Sequence, residues 1–75
     1  MPAAFAEHVR AEIRAELARQ NITRSQLAQQ IGLDDQALYR RLQGRQPISL
    51  EDVEAIAGAL GVPVSRFTDT AGVLP

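Results

Sequence analysis

The stretch ITRSQLAQQIGLDDQALYRRLQG, Ile22 to Gly44, decides the fold. Its apolar residues fall into two short sets, Leu27, Ala28 and Ile31, then Ala37, Leu38 and Leu42. Both have the three-to-four-residue spacing of a buried helix face. Thr23 is a good N-cap, and TRSQ has the capping-box form, with Gln26 able to reach back to the Thr23 backbone. Gly32 ends the first helix in a left-handed turn. Asp34 reads as the cap of the second, which runs from Asp35 to about Gln43 and is closed by Gly44. Two short helices joined by Ile31-Gly32-Leu33, with small Ala28 allowing close packing, are a helix-turn-helix signal.

The flanking sequence predicts three more helices around this pair. Phe5, Val9, Ile13 and Leu17 recur every four residues, so an amphipathic helix is expected from about Ala4 to Arg19, ending at Asn21. Glu7, Arg10, Glu12, Arg14 and Glu16 are assigned to its other faces. GRQPIS is a loop, because Pro47 disfavours helix at the residue before it. Ser49 with Asp52 makes another capping box, and Val53, Ile56, Ala57 and Leu60 follow at helical spacing up to Gly61. VPVSRF predicts a short fifth turn, with Pro63 at its first helical position and Phe67 plugging the core. Residues 69–75 read as a tail. No strand alternation, repeat or linker is visible, so residues 1–75 are expected to form one all-α domain.

Composition narrows the function. The chain has 75 residues, no cysteine and one histidine, which leaves no disulfide and no thiolate or histidine-rich metal site. With 45% apolar residues it has enough for a small core, and no apolar run approaches the ~18 residues needed to span a bilayer. The start lacks a basic region followed by an apolar one, so it does not read as a secretory signal. The formal net charge is −1, but it is unevenly spread. Residues 19–46 carry Arg19, Arg24, Arg40, Arg41 and Arg45 against Asp34 and Asp35, whereas residues 47–75 carry Arg66 against Glu51, Asp52, Glu54 and Asp69. All eight basic residues are arginine, which suits bidentate phosphate and guanine contacts; a bias toward GC-rich codons has the same effect.

Leu27-Ala28, Ile31-Gly32, Leu38, Gly44, Pro47 and AGALGVPVSRF, in this order and at this spacing, resemble the phage-repressor and Cro-like helix-turn-helix family, also called the xenobiotic-response-element family. The resemblance covers Ile13 to Phe67. It implies a compact, lambda-repressor-like bundle of five helices that binds double-stranded DNA operators, usually as a homodimer, to regulate transcription. In such a motif the third helix, here residues 35–43, enters the major groove. With Leu38 and Leu42 facing the core, Asp35, Gln36, Tyr39, Arg40 and Gln43 project outward. Gln36 can bond adenine bidentately, Arg40 can read guanine or grip a phosphate, and Asp35 can accept from the cytosine amine at a cost in affinity. Tyr39 can pack on a thymine methyl, bond a phosphate, or lean on a neighbouring helix. Asp35, Gln36, Tyr39 and Arg40 are therefore the expected base contacts. Arg24, Gln43, Arg45, Gln46 and Ser49 are the expected phosphate contacts. The family commonly carries glutamine where this chain has Arg24, so a shared glutamine–glutamine arrangement is absent. Arg41 can reach a phosphate or pair with a carboxylate on the fourth helix.

Other polar residues take plainer roles. His8 has no neighbouring ligand or nucleophile and reads as solvated or lightly packed. Ser25, Ser49 and Ser65 have no partner base, and Glu51, Asp52 and Glu54 complement a helix dipole. No nucleophile–base pair, metal cluster or phosphate loop points to an enzyme. No cofactor, metal, small-molecule ligand or membrane is expected, and the expected place of action is the cytoplasm, on a bacterial nucleoid or, for a phage-encoded chain, in the host. Two alternatives remain: an antitoxin built on the same fold, distinguished by its neighbouring gene, and a protein-interaction module that has lost DNA binding. A homodimer could form through the fifth turn with Val73 and Leu74, which otherwise read as a frayed terminus.

Overall fold

The three helices for which the sequence provides a cap each begin at it. The computed structural model describes residues 4–70. Its helices are α1, Ala4–Gln20; α2, Arg24–Ile31; α3, Asp35–Gln43; α4, Leu50–Leu60; and α5, Ser65–Thr68. The capping boxes Thr23–Gln26 and Ser49–Asp52 both form, with side chain and backbone exchanging hydrogen bonds in each direction. Asp34 caps α3, its Oδ2 accepting from the amides of Gln36 and Ala37. Asn21 takes the left-handed conformation (φ 58°) that ends α1.

The α5 boundary differs from the sequence expectation. Pro63 precedes the helix instead of opening it, and its carbonyl accepts from the Arg66 amide at 2.9 Å. Val64 already has helical angles (φ −55°, ψ −34°), so the proline supplies the turn's first acceptor. The expected tail residues Val73 and Leu74 lie outside the described residues.

One core joins all five helices. Val9, Ile13 and Leu17 of α1 meet Leu27 and Ala28 of α2, Leu38 and Leu42 of α3, Val53, Ile56, Ala57 and Leu60 of α4, and Phe67 of α5. Ile31, expected in the buried stripe of α2, is half-buried and packs against this cluster. Helix α1 touches α3, α4 and α5, while α2 packs on α3 and α4. Phe5 departs from its expected place in the α1 stripe: it is 49% exposed. It lines an apolar hollow of about 150 Å³ with Val9, Ile48, Leu50 and Val53, one turn before the point where the other helices close over α1.

Two charged residues of α1 that the pattern assigned to the outer faces, Arg10 and Glu16, are buried. Glu16 survives burial because its carboxylate is fully partnered. Oε1 accepts from Arg19 and from Arg66 of α5, and Oε2 accepts from Gln20, whose amide also reaches the Leu60 carbonyl. His8 shares a 2.9 Å hydrogen bond with the Asp69 carbonyl, a second tie between α1 and the end of α5. The Gln20 and Arg19 hydrogen bonds, followed by the charge of Arg19, hold the Glu16 carboxyl below its ordinary value.

Gly32 and Gly44 both have positive φ, 70° and 83°, but differ in surroundings. A Cβ on Gly32 meets open space, whereas one on Gly44 stands 3.0 Å from Glu7 Oε2. Gly32→Ala should therefore cost about 1 kcal/mol of left-handed strain alone. Gly44→Ala should cost more, up to ~3 kcal/mol, because the Glu7 carboxylate must also give way. Urea melts of the two variants check the order, and equal costs would mean Glu7 swings aside freely.

Glu16 adds a pH signature. Its folded-state pKa is depressed, so its contribution is complete above the ordinary carboxyl value of 4.5 and fades as pH falls through the lowered folded value. Glu16→Gln should be less stable than the parent at pH 7, and the gap should shrink as denaturation is repeated down to about pH 3.

Candidate nucleic-acid interface

The outward face of α3 is set by what holds the helix from behind. Leu38 and Leu42 are buried, which turns Gln36, Arg40 and Gln43 to solvent and leaves Asp35 and Tyr39 half-exposed. Asp34 holds the N-terminal end. The C-terminal end is held by α1. Arg10 Nε donates to the Arg41 carbonyl at 2.8 Å and its Nη2 to the Gln46 carbonyl at 3.3 Å. Arg14 Nη1 donates to the Leu42 carbonyl at 2.6 Å. These carbonyls lie at and just beyond the helix end, where an α-helix leaves acceptors unfilled and its dipole favours cations. Glu7 steadies the Arg10 guanidinium at 3.2 Å.

Sequence reading missed both arginines as positioning residues. The signal was present in their spacing: Arg10 and Arg14 each directly follow a core residue, Val9 and Ile13, so they flank the buried stripe and do not oppose it.

The loop after α3 carries Arg45, Gln46 and Ser49, all exposed. Gln46 is tied to α3 because its Oε1 accepts from Arg40 Nε at 3.3 Å. The Gln46 and Arg45 amides both donate back to the Arg40 carbonyl. Gln36, Arg40, Gln43, Arg45, Gln46 and Ser49 thus lie on one continuous stretch formed by α3 and the loop that closes it. Of the two roles open to Arg41, the structure has the pairing with a carboxylate: Nη1 donates to Asp52 Oδ1 on α4 at 3.2 Å.

Arg24 and Asp35, expected on a phosphate and on a base respectively, are bonded to each other. Arg24 Nε meets Asp35 Oδ1 at 2.9 Å and Nη2 meets Oδ2 at 3.2 Å. The Arg24 guanidinium lies 4.8 Å from the centre of the Tyr39 ring, and that of Arg45 lies 5.9 Å from it. Tyr39 therefore does lean on neighbours, as a cation–π partner of arginines from α2 and from the loop. The Arg24 hydrogen bonds hold the Asp35 carboxyl below its ordinary value, and Asp35 raises Arg24 in return.

This pairing changes the electrostatics of the middle third. Arg19, Arg24 and Arg41 each have a carboxylate partner, so Arg40 and Arg45 are the arginines of residues 19–46 left without one among the described residues. Among the described residues, no group of three or more acidic or histidine side chains could hold a metal ion, and no helix is long and apolar enough to cross a membrane.

A family model described as helix-turn-helix, of the Cro/C1 type, matches residues 13–67. No curated protein and no solved structure matches the chain.

The anchoring of α3 by α1 has a direct consequence. Arg10→Met should keep the apolar packing yet leave the Arg41 and Gln46 carbonyls without their charged donor. A loss of about 2 kcal/mol is expected. Amide hydrogen exchange should quicken through residues 43–49 first. Unchanged exchange there would show that the loop holds itself.

Proposed function

We propose that this chain, which belongs to the helix-turn-helix family of the Cro/C1 type, is a sequence-specific regulator of transcription that docks α3 in the major groove of an operator. The observation that carries the reading is that Arg40 and Arg45, the arginines of the middle third without a carboxylate partner among the described residues, lie on the exposed face of the second helix of the motif and on the loop that closes it. In this reading Gln36, Tyr39 and Arg40 meet base edges, glutamine suiting adenine and arginine suiting guanine. Gln43, Arg45, Gln46 and Ser49 border them and are placed to meet phosphates.

Few base contacts fit on a nine-residue helix, so a homodimer on a two-fold symmetric site is the economical way to reach useful affinity. The proposed setting is the compartment that holds the chromosome, and the proposed effect is repression by occupancy of the operator.

Selection of the full chain on random duplexes tests this directly. A consensus with two-fold symmetry is expected, with log K falling linearly with log salt. Arg40→Ala should lose preference at one base pair of each half-site, worth roughly 1–3 kcal/mol. Absence of any selected duplex at low salt would refute the reading in favour of a protein partner.

A further inference from the structure

Arg24 and Asp35 meet across the corner between α2 and α3 in a geometry that favours one kind of ligand. A guanidinium has two planar forks of donors, one at its side (Nε and one Nη) and one at its end (both Nη). Asp35 takes the side fork with both carboxylate oxygens, at 2.9 and 3.2 Å. The Tyr39 ring supports the group at 4.8 Å. Among the described residues, nothing accepts from Nη1. The end fork is therefore open, while the plane that carries it is already held by a carboxylate and an aromatic ring.

The open end fork is the part of an arginine that matches guanine, whose O6 and N7 accept two parallel hydrogen bonds in the major groove. A phosphate suits this guanidinium less well. Its negative charge would stand close to the Asp35 carboxylate that shares the same cation, and like charges at that range repel. Guanine brings two acceptors without a net charge. Position agrees: Asp35 opens α3, at the end that meets base edges in such motifs, and Tyr39 follows one turn later. Both partners remain about a third exposed, Arg24 at 35% and Asp35 at 39%, so one further edge can reach them.

We propose that Arg24 reads a guanine, with Asp35 and Tyr39 as the positioning residues that aim its end fork. The inference rests on the reading of α3 as a major-groove helix, and it moves the base contact that the sequence suggests for Asp35 to Arg24. The carboxylate at the start of α3 acts on specificity through the arginine it orients.

The test compares the full chain with Arg24→Ala, Arg24→Lys, Asp35→Asn and Arg45→Ala, each checked by thermal melting, in random-duplex selection and in anisotropy titrations over a salt series. The parent should select a guanine whose replacement weakens binding roughly 5- to 150-fold. Arg24→Ala should lose that preference and keep the others, and Arg24→Lys should weaken it, since lysine can still donate to O6 and N7 but lacks the planar fork that Asp35 holds. Asp35→Asn should keep the guanine with reduced discrimination. The salt slope should stay nearly constant in the Arg24 variants and fall by about 0.9 in Arg45→Ala. A uniform loss over all duplexes in Arg24→Ala, with a slope lowered by about 0.9, makes Arg24 a phosphate clamp and overturns the proposal while the DNA reading stands. A guanine preference that survives both Arg24 substitutions overturns it too. A parent chain that selects no duplex overturns the DNA reading and this inference together.

Discussion

Two arginines from α1 occupy the carbonyls where α3 ends, and the geometry of the whole outward face depends on them. A helix of nine residues is marginal by itself and leaves its last carbonyls unsatisfied. Arg10 and Arg14 fill those acceptors from the side, and Leu38 and Leu42 pull the helix onto the core below. The same α1 is fastened to α5 through Glu16–Arg66 and His8–Asp69 and to the core through Val9, Ile13 and Leu17. The surface of α3 and its closing loop is thus carried on the longest helix of the molecule, and side chains on a rigid support hold their geometry better than those on a free loop.

The fold was largely legible because its determinants are local. Capping boxes, the aspartate cap and the glycine stops each depend on residues within one turn, and the six places they mark are where helices begin or end. The core stripe followed from spacing. What could not be read depends on residues far apart in the chain. Periodicity alone places Arg10 and Glu16 on polar faces; their burial requires the Arg41 and Gln46 carbonyls and the Arg66 guanidinium, 31 to 50 residues away. Phe5 was misplaced for the reverse reason, since a stripe says which face is apolar and not how far the neighbouring helices reach along it. At the candidate interface, residue types and faces were readable, while the Arg24–Asp35 bond, spanning 11 residues around the turn, was not.

A net charge of −1 looks unfavourable for a protein that meets a polyanion. The structure shows where much of the negative charge is spent. Glu7 steadies Arg10, Glu16 serves Arg19 and Arg66, Asp34 caps α3, and Asp52 caps α4 while holding Arg41. Each of these carboxylates is paired with an arginine or with helix amides, which reduces the field it projects. At the distances that matter for a docked duplex, screening leaves local charge in control, and locally Arg40 and Arg45 stand without a carboxylate partner among the described residues.

The two aspartates at the start of α3 show how similar residues are separated by geometry. Asp34, exposed at the helix start, gives its Oδ2 to the backbone amides of Gln36 and Ala37. Asp35, one residue later and therefore rotated by about 100° around the helix, meets Arg24. Where the resembling family commonly carries glutamine at the Arg24 position, two neutral amides could share hydrogen bonds with either a base or a phosphate. A guanidinium locked to a carboxylate cannot serve both equally: its net charge is cancelled, and its remaining donors point in one plane. The ion pair, like the amides, adds no net attraction to the DNA backbone, and what it offers is a directional pair of donors held in one plane; in the proposed reading, the acidic residue that seemed out of place on α3 is the one that gives the neighbouring arginine its selectivity.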